Sequence, residues 1–400
     1  MSSDRHEAGF KRQTPVTAAR EQLRSVVTGV DRTEQIATEA AVGRVIAEQV
    51  TPERAVPHYD RAAMDGFAVN AEETVGASER APARLERAEN MGPGRAVGVH
   101  TGSELPEHAD AVVRVEDVTE RNDGLAVETA VAPGENVAPT GEDVAADATL
   151  FEPGDRLRPS DLGLLKATGI EGVTAYQPPE IAVIPTGEEV VESDPGPGEI
   201  VETNGLVVIR LVERWGGDPR YRDIVTDDQQ ALADAIERDL DADVIVTTGG
   251  SSVGERDLLP EVVEDLGDVA VHGVAHKPGH PVGFGRVEAT PVLMLPGYPV
   301  SALVNAVQLL YPAVAWAGNR EPEAPPTTAG ELTRKIASEP GVRSYVRVRH
   351  VAEGVEPIRS GGAGVLSSVS AADGWVVVPE SQEGIEAGAT VSVEDWEWSP

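Results

Sequence analysis

The chain of 400 residues contains no cysteine, which excludes disulfide bridges, thiolate metal sites and cysteine nucleophiles. It is also poor in positive charge. Its 33 lysine and arginine residues face 68 aspartate and glutamate residues, and the formal net charge is −35. This balance argues against a nucleic-acid partner held through its phosphates. The acidic residues are spread along the chain, which is typical of the hydrated surface of a halophile's protein.

Long apolar runs are absent as well. We find no run of the roughly 20 apolar residues that a membrane span requires. The first residues, MSSDRHEAGFKRQTPV, lack the apolar core of a secretory signal. Hydrophobic residues still make up 40% of the chain, which is enough for the cores of a globular protein. We therefore expect a soluble cytoplasmic protein without a membrane partner.

Hydrophobic periodicity and turn residues divide the chain into four predicted domains. These are a helical linker domain (1–50 and 145–177), a β-rich insertion domain (51–144), a three-layer α/β domain (178–320) and a small C-terminal β-domain (325–400). The linker domain is expected to contain a second helix that begins near Thr33. Strands and helices alternate in the α/β domain, which predicts a mostly parallel sheet covered by helices on both faces.

Four polar or glycine-rich turns follow predicted strands of the α/β domain. They are PTGEEV (185–190), VTDD (225–228), TTGGSSVGERD (247–257) and LPGYPVSA (295–302). Ligands of such sheets bind at the carboxyl ends of the strands, so we expect one concave site at this edge. Glycine lets the backbone approach a ligand closely, and free N–H groups bind anions. The third turn, with Gly249, Gly250, Ser251 and Ser252, is therefore predicted to hold a phosphate or a similar oxyanion.

Charged residues are predicted at the same edge. The motif KPGHP (277–281) supplies Lys277, and the helix that begins after Pro299 directs its positive end there, with Ser301 as a further donor. Carboxylates also follow the strand ends, namely Glu188, Glu189, Asp227, Asp228 and Asp257. Acids beside an anion-binding loop need a bridging cation, which favours Mg²⁺ shared between carboxylates and phosphate oxygens.

Two further acids lie in turns of the insertion domain, Asp65 in RAAMDGFAV and Asp143 in PTGEDV. Acids contributed by a second domain suggest a cleft between domains or between subunits. The eight histidines show no HxxH or HExxH spacing, so a histidine zinc site is not expected.

Nine motifs occur in the order found in one known family: AAMDGFAV, HTGSELPEHADAVV, PTGEDV, DLGLLKATGI, VIPTGEEV, IVETNG, VIVTTGGSSVGERD, KPGHPVGFG and LPGYPVSAL. On these motifs the chain resembles the molybdopterin molybdenumtransferases, the MoeA or gephyrin E-domain family, in a haloarchaeal form. The resemblance implies a homodimer that inserts molybdate into adenylated molybdopterin with Mg²⁺ and releases AMP. It also implies molybdopterin adenylyltransferase as the upstream partner.

The resemblance further implies roles for single residues. The implied catalytic residues are Asp65, Asp143, Glu188, Asp228, Asp257 and Lys277. Of these, Glu188, Asp228 and Asp257 would hold Mg²⁺. The residues implied to bind the pterin, its phosphate and the nucleotide are Thr101, Thr186, Gly187, Thr248, Gly249, Gly250, Ser251, Ser252, Gly279, Pro296, Gly297, Pro299 and Ser301. The C-terminal domain is expected to contribute through SGGAGVLSS, near Ser367.

The chain departs from the usual motifs of the family at several positions. His280 stands where KPGKP has its second lysine, Gly273 stands where many members have a further lysine, and Tyr298 replaces asparagine in PGNP. The tail reads GGAG in place of GSG. Loss of two lysines weakens a molybdate site unless protonated histidines replace them. Three alternatives therefore stay open: a tungstate-preferring transferase, a non-catalytic pterin-binding scaffold, and an adenylyltransferase, which the large insertion disfavours.

Overall fold

The structure is a computed structural model that describes residues 13–122, 124–249, 258–359 and 362–400. Two compact units are present, one of Gln35–Ala175 and the other of Met1–Glu34 with Tyr176–Pro400. The predicted ligand-binding residues Gly250, Ser251, Ser252 and Asp257 lie outside the described residues. The boundaries of the four domains stay a prediction.

The smaller unit is mainly β-structure, as predicted for the insertion. Helix α1 (Val16–Val26) comes before the smaller unit in the chain and belongs to the larger unit, whereas most of the elements that follow lie in the smaller unit. The elements that follow it are β1 (Thr33–Ala37), β2 (Arg61–Ala62), β3 (Gly66–Val69), β4 (Ala83–Ala88), β5 (Arg95–Val99), β6 (Ala111–Arg114), β7 (Val118–Arg121), β8 (Gly124–Val127), β9 (Val137–Ala138), helix α2 (Pro159–Ala167) and β10 (Gly172–Tyr176). Six strands form one sheet in the order β6-β3-β5-β4-β8-β7, in which only β4 and β5 are parallel neighbours.

The prediction of a second helix that begins near Thr33 is wrong. Thr33–Ala37 is strand β1, which pairs with β10, and a 3₁₀ turn of Thr38–Ala40 follows it. The apolar spacing of this segment fits a helix, but the backbone carbonyl of Glu171 accepts the Thr38 N–H at 2.9 Å. A pairing between residues far apart in sequence therefore overrides the local pattern.

The larger unit contains the α/β fold. Its elements are β11 (Glu180–Pro185), β12 (Val190–Val191), β13 (Ile200–Val201), α3 (Asn204–Arg214), β14 (Asp218–Tyr221), α4 (Gln229–Arg238), β15 (Val244–Thr248), α5 (Leu259–Leu266), β16 (Asp268–His272), β17 (His276–Lys277), β18 (Gly283–Val287), β19 (Thr290–Leu295), α6 (Pro299–Asn305) and α7 (Tyr311–Ala317). The main sheet has the order β14-β11-β15-β19-β18-β16. Its first four strands are parallel, and β18 runs antiparallel to both of its neighbours, β19 and β16, so the sheet is mixed as well as mostly parallel.

Alternate side chains of the parallel strands feed two separate cores. Ile181 and Val183 pack with helices α1, α3, α6 and α7. Ala182 and Ile184 pack instead with α4 and α5. This alternation follows from the two-residue period of a strand and gives the three predicted layers. The apolar spacing of α3 predicts that Leu206 faces inward, but its side chain is 51% exposed.

Helices α6 and α7 form one continuous helix through a π-helical segment, Ala306–Leu310. Pro312 has no N–H with which to bond the carbonyl of Gln308 four residues earlier. Arg20 of α1 donates to that carbonyl through Nε at 2.9 Å and to the Gln308 side chain through Nη2 at 2.6 Å. The arginine thus satisfies an acceptor that the helix leaves open.

The same helix is 19 residues long and apolar enough to cross a membrane, so the expectation that no segment has this length is wrong. Its apolar stretch is wholly buried inside the protein. Core helices of water-soluble proteins have the same length and composition, and one such helix is weak evidence for a membrane span.

The C-terminal part of the larger unit is the predicted β-domain. Its elements are β20 (Thr327–Glu331), β21 (Ile336–Ala337), β22 (Arg343–Val351), β23 (Gly354–Arg359), α8 (Ser367–Ser370), β24 (Gly374–Val378), β25 (Gly384–Ile385) and β26 (Thr390–Glu394). Its sheet has the order β17-β22-β24-β26-β20 with β23 beside β22, so a strand of the α/β region belongs to it. Trp375, Trp396 and Trp398 share a core with the long helix.

His276 of β17 is fully buried where the two parts of the larger unit meet, with its ring 6.0 Å from the ring of Tyr345. Burial lowers the pKa of His276 to about 3, and the nearby His280, Arg20 and Arg343 act in the same direction. The folded protein therefore keeps this imidazole neutral, whereas an unfolded chain protonates it below about pH 6.5.

We predict that the H276F variant has a weaker pH dependence of stability than the parent protein. Because the folded-state pKa is depressed, the contribution of His276 is complete above about pH 6.5 and is lost as the pH falls towards 3. Denaturant unfolding measures the free energy of unfolding of both proteins. Between pH 7 and pH 5.5, this free energy should fall by about 1 kcal/mol more in the parent protein than in the variant. Parallel pH profiles would contradict the assignment of His276 as a buried neutral group.

Candidate functional site

The carboxyl ends of the four parallel strands bring the four predicted turns together. The turns are joined by backbone hydrogen bonds: Gly187 N–H donates to Val225 O at 3.1 Å, and Gly249 N–H donates to Leu295 O at 3.0 Å. Thr186 N–H donates to Thr248 O at 3.2 Å. The turns after β11, β14, β15 and β19 therefore form one connected edge, as the sequence predicts.

Gly249 is required by its backbone geometry and its neighbours. Its φ is +130°, and a Cβ at this position would lie 2.1 Å from the carbonyl oxygen of Thr186. Gly297 lies opposite, where a Cβ would be 3.5 Å from the Cα of Gly249, an ordinary contact. The two backbones approach closely because Gly249 has no side chain.

Three threonines at this edge have buried hydroxyl groups. The side chains of Thr186, Thr247 and Thr248 are almost fully buried, and none of the three Oγ1 atoms has a hydrogen-bond partner among the residues that the structure describes. Buried hydroxyls are normally paired, so these three atoms are candidate partners for a ligand. Thr186 and Thr248 were predicted to bind ligand. Thr247 was not, although the consecutive threonines of TTGG could have indicated it.

The turn that carries Gly297 is held by a residue that sequence reasoning missed. Asn204, at the start of α3, donates from Nδ2 to the carbonyl oxygen of Gly297 at 2.7 Å. The preceding Glu202 accepts the Gly205 N–H at 2.6 Å and the Tyr221 hydroxyl at 2.7 Å. The motif ETNG therefore fixes the start of α3 against this edge. Its position directly before a helix was the available signal.

The KPGHP loop packs against the start of the long helix. Asn305 donates from Nδ2 to the carbonyl oxygens of Gly279 and Ser301, both at 2.9 Å. Gly279 has φ +107°, and a Cβ there would lie 2.3 Å from that Nδ2 atom. The structure thus brings Gly279 and Ser301 together, as predicted, around a buried amide.

His280 does not replace a lysine charge in this structure. Burial lowers its pKa, and the positive charge of Lys277 lowers it further. His280 is therefore neutral at pH 7 in this structure, and protonation beside a bound dianion stays a prediction. Lys277 itself is exposed and pairs with Glu339 of the C-terminal domain, with Nζ 2.5 Å from Oε2.

The predicted metal ligands are only partly described. Glu188 and Asp228 are exposed, and Asp228 caps α4 by accepting the Ala231 N–H on Oδ1 at 2.9 Å. Thr226 and Gln229 have the spacing of a capping box, which predicts Thr226 as the cap, but the structure gives this role to Asp228. Within residues 13–122, 124–249, 258–359 and 362–400, no group of three or more potential metal ligands is present. Exposed carboxylate oxygens nevertheless fit Mg²⁺ chemically, since it prefers oxygen ligands and bound water.

In the smaller unit, two aspartates hold two TG turns in the same way. Asp65 Oδ1 accepts the N–H and the hydroxyl of Thr101 at 2.6 and 2.9 Å. Asp60 Oδ1 accepts the N–H and the hydroxyl of Thr140 at 2.7 and 2.8 Å. These bonds lower the pKa of each carboxyl group. The structure thus places Asp65 and Thr101 in contact, and Asp60, which was not predicted, holds the turn that leads to the exposed Asp143.

The glycine-rich segment of the C-terminal domain reaches the start of α6. Ala363 accepts the Val300 N–H on its carbonyl oxygen at 3.0 Å. A Cβ at Gly364 would lie 3.3 Å from the ring of Tyr298, whose side chain is 65% exposed. Ser367 is exposed at the start of α8. Pro296 is buried beside this turn, and Pro299 is the first residue of α6.

Three family models match the chain in order: the MoeA N-terminal region (domain I and II) over residues 14–169, the "Probable molybdopterin binding domain" over 182–316, and the MoeA C-terminal region (domain IV) over 329–396. The chain belongs to the MoeA family. The first matched region includes residues of both units, and the other two lie in the larger unit.

Individual relatives agree along nearly the whole chain. A molybdopterin biosynthesis protein of Methanocaldococcus jannaschii is 38% identical over 366 residues, 88% of this chain and 89% of that one. The molybdopterin molybdenumtransferase of Haemophilus influenzae is 31% identical over 378 residues, 91% of this chain and 94% of that one. The crystal structure of a molybdopterin biosynthesis MoeA protein from Pyrococcus horikoshii is similar, with 33% identity, a TM-score of 0.81, and coverage of 97% and 100%.

We predict that G249A destabilises the larger unit by at least about 2 kcal/mol, because alanine would combine an unfavourable φ with a backbone clash. The matched control is G297A, whose new Cβ makes only an ordinary contact at the same edge. Denaturant unfolding of both variants checks the prediction. Equal stabilities would show that the turn after β15 does not require glycine.

We also predict reciprocal effects of D60A and D65A. D60A should accelerate hydrogen exchange at the Thr140 amide and leave the Thr101 amide protected, because each aspartate holds only its own turn. D65A should do the reverse. Exchange is measured by NMR on both variants, and in each variant the amide of the other turn is the internal control. Loss of protection at both turns in either variant would contradict separate roles.

Proposed function

We propose that this chain is a molybdopterin molybdenumtransferase that inserts molybdate into adenylated molybdopterin and releases AMP. The observation that carries the proposal is the edge of the parallel strands. There, Gly249 and Gly297 bring two backbones together beside three buried threonine hydroxyls without partners among the described residues. The family membership and relatives named as transferases over nearly the whole chain support the same reaction.

The residues of the edge suit an oxygen-rich, anionic substrate. Hydroxyls of Thr186, Thr247 and Thr248 are donors that a phosphate or a pterin amide group can use, and the start of α6 adds the positive end of a helix. Removal of AMP breaks a phosphorus–oxygen bond of the anhydride, and the attacking oxygen belongs to molybdate or to water. Lys277 would offset negative charge that develops on the substrate.

The proposal includes a magnesium ion held by Glu188, Asp228 and Asp257. When bound, the ion would neutralise phosphate charge during cleavage of the anhydride. Oδ1 of Asp228 caps α4, and Oδ2 is the oxygen that would reach the ion. Asp65, Thr101 and Asp143 of the insertion domain are further residues for which the family resemblance implies a role in the reaction.

The proposal further includes properties that the family resemblance implies. Two copies would associate as a homodimer, substrate would come from molybdopterin adenylyltransferase, and the reaction would take place in the cytoplasm. The charge of −35 supports adaptation to high salt, as in a haloarchaeal protein. Tungstate as the preferred oxyanion is an outcome that the assay below distinguishes.

The test is AMP release from adenylated molybdopterin in high salt with Mg²⁺, with molybdate and tungstate in parallel. We expect oxyanion-dependent release, and we expect K277M to lower kcat/KM by roughly tenfold or more because it removes a charge at the substrate. The matched control is K335M, which removes a lysine that is also exposed and also paired with a glutamate, Glu386. D257N with Mg²⁺ titration tests the metal site.

Two results would contradict the proposal. Tight pterin binding without AMP release under either oxyanion would support a non-catalytic scaffold. An equal loss of activity in K277M and K335M would show that Lys277 has no special role at the substrate.

A further inference from the structure

Lys277 and Glu339 form an ion pair at the predicted anion site. The Nζ atom of Lys277 lies 2.5 Å from Oε2 of Glu339, and the two side chains are 46% and 69% exposed. Lys277 lowers the pKa of the Glu339 carboxyl group, mainly through their hydrogen bond. The cation that would meet an oxyanion is thus already in contact with a carboxylate of the same chain.

The backbone holds these two residues near each other. Strand β17, which contains Lys277, pairs with β22, and Arg343 N–H donates to Ala275 O at 3.1 Å. Glu339 lies in the connection between β21 and β22, where Gly341 N–H donates to Glu380 O at 2.8 Å. These backbone contacts therefore place Glu339 of the C-terminal domain beside Lys277.

Lys277 supplies the positive charge of the KPGHP loop, so its pairing with Glu339 decides how much charge the loop offers to an anion. Lys277 is the only lysine or arginine between Arg256 and Arg286 in the sequence. His280 is neutral at pH 7, because burial and the nearby lysine lower its pKa. With Glu339 in place, the KPGHP loop and its counter-ion together carry no net positive charge.

We propose that Glu339 is an internal competitor for anions at Lys277, which sets the affinity of this site for its oxyanion. The proposal rests on the proposed function in that molybdate or tungstate is the expected ligand. A bound oxyanion displaces the carboxylate, and the Lys277 ammonium exchanges one oxygen partner for another. No covalent bond changes in this step.

The energetics of an exposed ion pair suit such an exchange. Pairs of this kind contribute about 0–1 kcal/mol, so displacement is easy, and a dianion offers more charge than a single carboxylate. Occupation of Lys277 by Glu339 lowers the apparent affinity for the anion by the fraction of time that the pair is formed. Salt weakens the pair as well, because both groups are exposed to solvent.

The chain supplies two matched pairs as controls. Lys335–Glu386 and Lys166–Glu39 are also exposed lysine–glutamate pairs, with Nζ–Oε1 distances of 2.5 and 2.7 Å. Neither contains a residue predicted at the site. A substitution of Glu386 therefore reports what the loss of any surface ion pair does to this acidic protein.

The experiment measures direct binding of sodium molybdate and sodium tungstate by calorimetry to the full chain, without the pterin, at several salt concentrations. We expect E339Q to bind the oxyanion about two- to fivefold more tightly than the parent protein, with a ratio that shrinks as salt rises. We expect E386Q to bind as the parent does. In the K277M background, E339Q should bring no gain, because the competing pair no longer exists.

The same variants are assayed for AMP release, which keeps the two proposals separate. Absence of AMP release in the parent protein contradicts the proposed function, but the binding comparison still decides the role of Glu339. Equal or weaker oxyanion binding by E339Q overturns the competitor role. An equal gain in E386Q, a gain that persists in K277M, or no oxyanion binding by any of these proteins overturns it as well.

Discussion

The close approach of backbones at the carboxyl edge of the parallel strands is the constraint on which the rest of the site depends. The peptide at Gly249 lies so near the Thr186 carbonyl group that no side chain fits between them. Parallel strands can end at a shared edge only if the turns leave space there for each other and for a ligand. Asn204, Asn305 and Asp228 then fix the neighbouring turns and helix ends through hydrogen bonds to backbone atoms.

Electrostatics set the second constraint. An acidic chain that binds an anionic substrate must supply local donors, because its overall field repels the substrate. Neutral donors carry much of this role here: threonine hydroxyls at the strand ends and the first turn of α6. The described lysines, Lys166, Lys277 and Lys335, are all paired with glutamates. Anion binding at Lys277 is therefore an exchange between two anions, which makes the site sensitive to salt.

The sequence was sufficient to predict the α/β sheet, its helices and the edge where the turns meet, because apolar periodicity and glycine-rich turns are local signals. The strand at Thr33–Ala37 could not be predicted in this way, since it depends on pairing with β10. The N-cap of α4 was also predicted wrongly, by two residues. Thr226 and Asp228 both suit a helix start, and only the position of the first helical residue, Gln229, selects the aspartate.

Residues that act through tertiary contacts were also beyond the sequence. Glu339 is one of 68 acids and stands 62 residues from Lys277, so nothing local distinguished it. Asp60 had a signal, since it lies five residues before Asp65 in a chain with two TG turns. Its pairing with Thr140 required the fold of the smaller unit. The neutral state of His280 likewise follows from burial, which the motif KPGHP does not reveal.

The central claim is that substrate binds at the edge formed by the turns after β11, β15 and β19. Hydrogen exchange with mass spectrometry, measured with and without adenylated molybdopterin, tests it most directly. We expect slower exchange in peptides that cover 185–190 and 295–302. Peptides that cover β20 (Thr327–Glu331) and β26 (Thr390–Glu394), which the account does not place at the substrate, should exchange as before. Protection confined to those peptides, with no change at the two turns, would contradict the account.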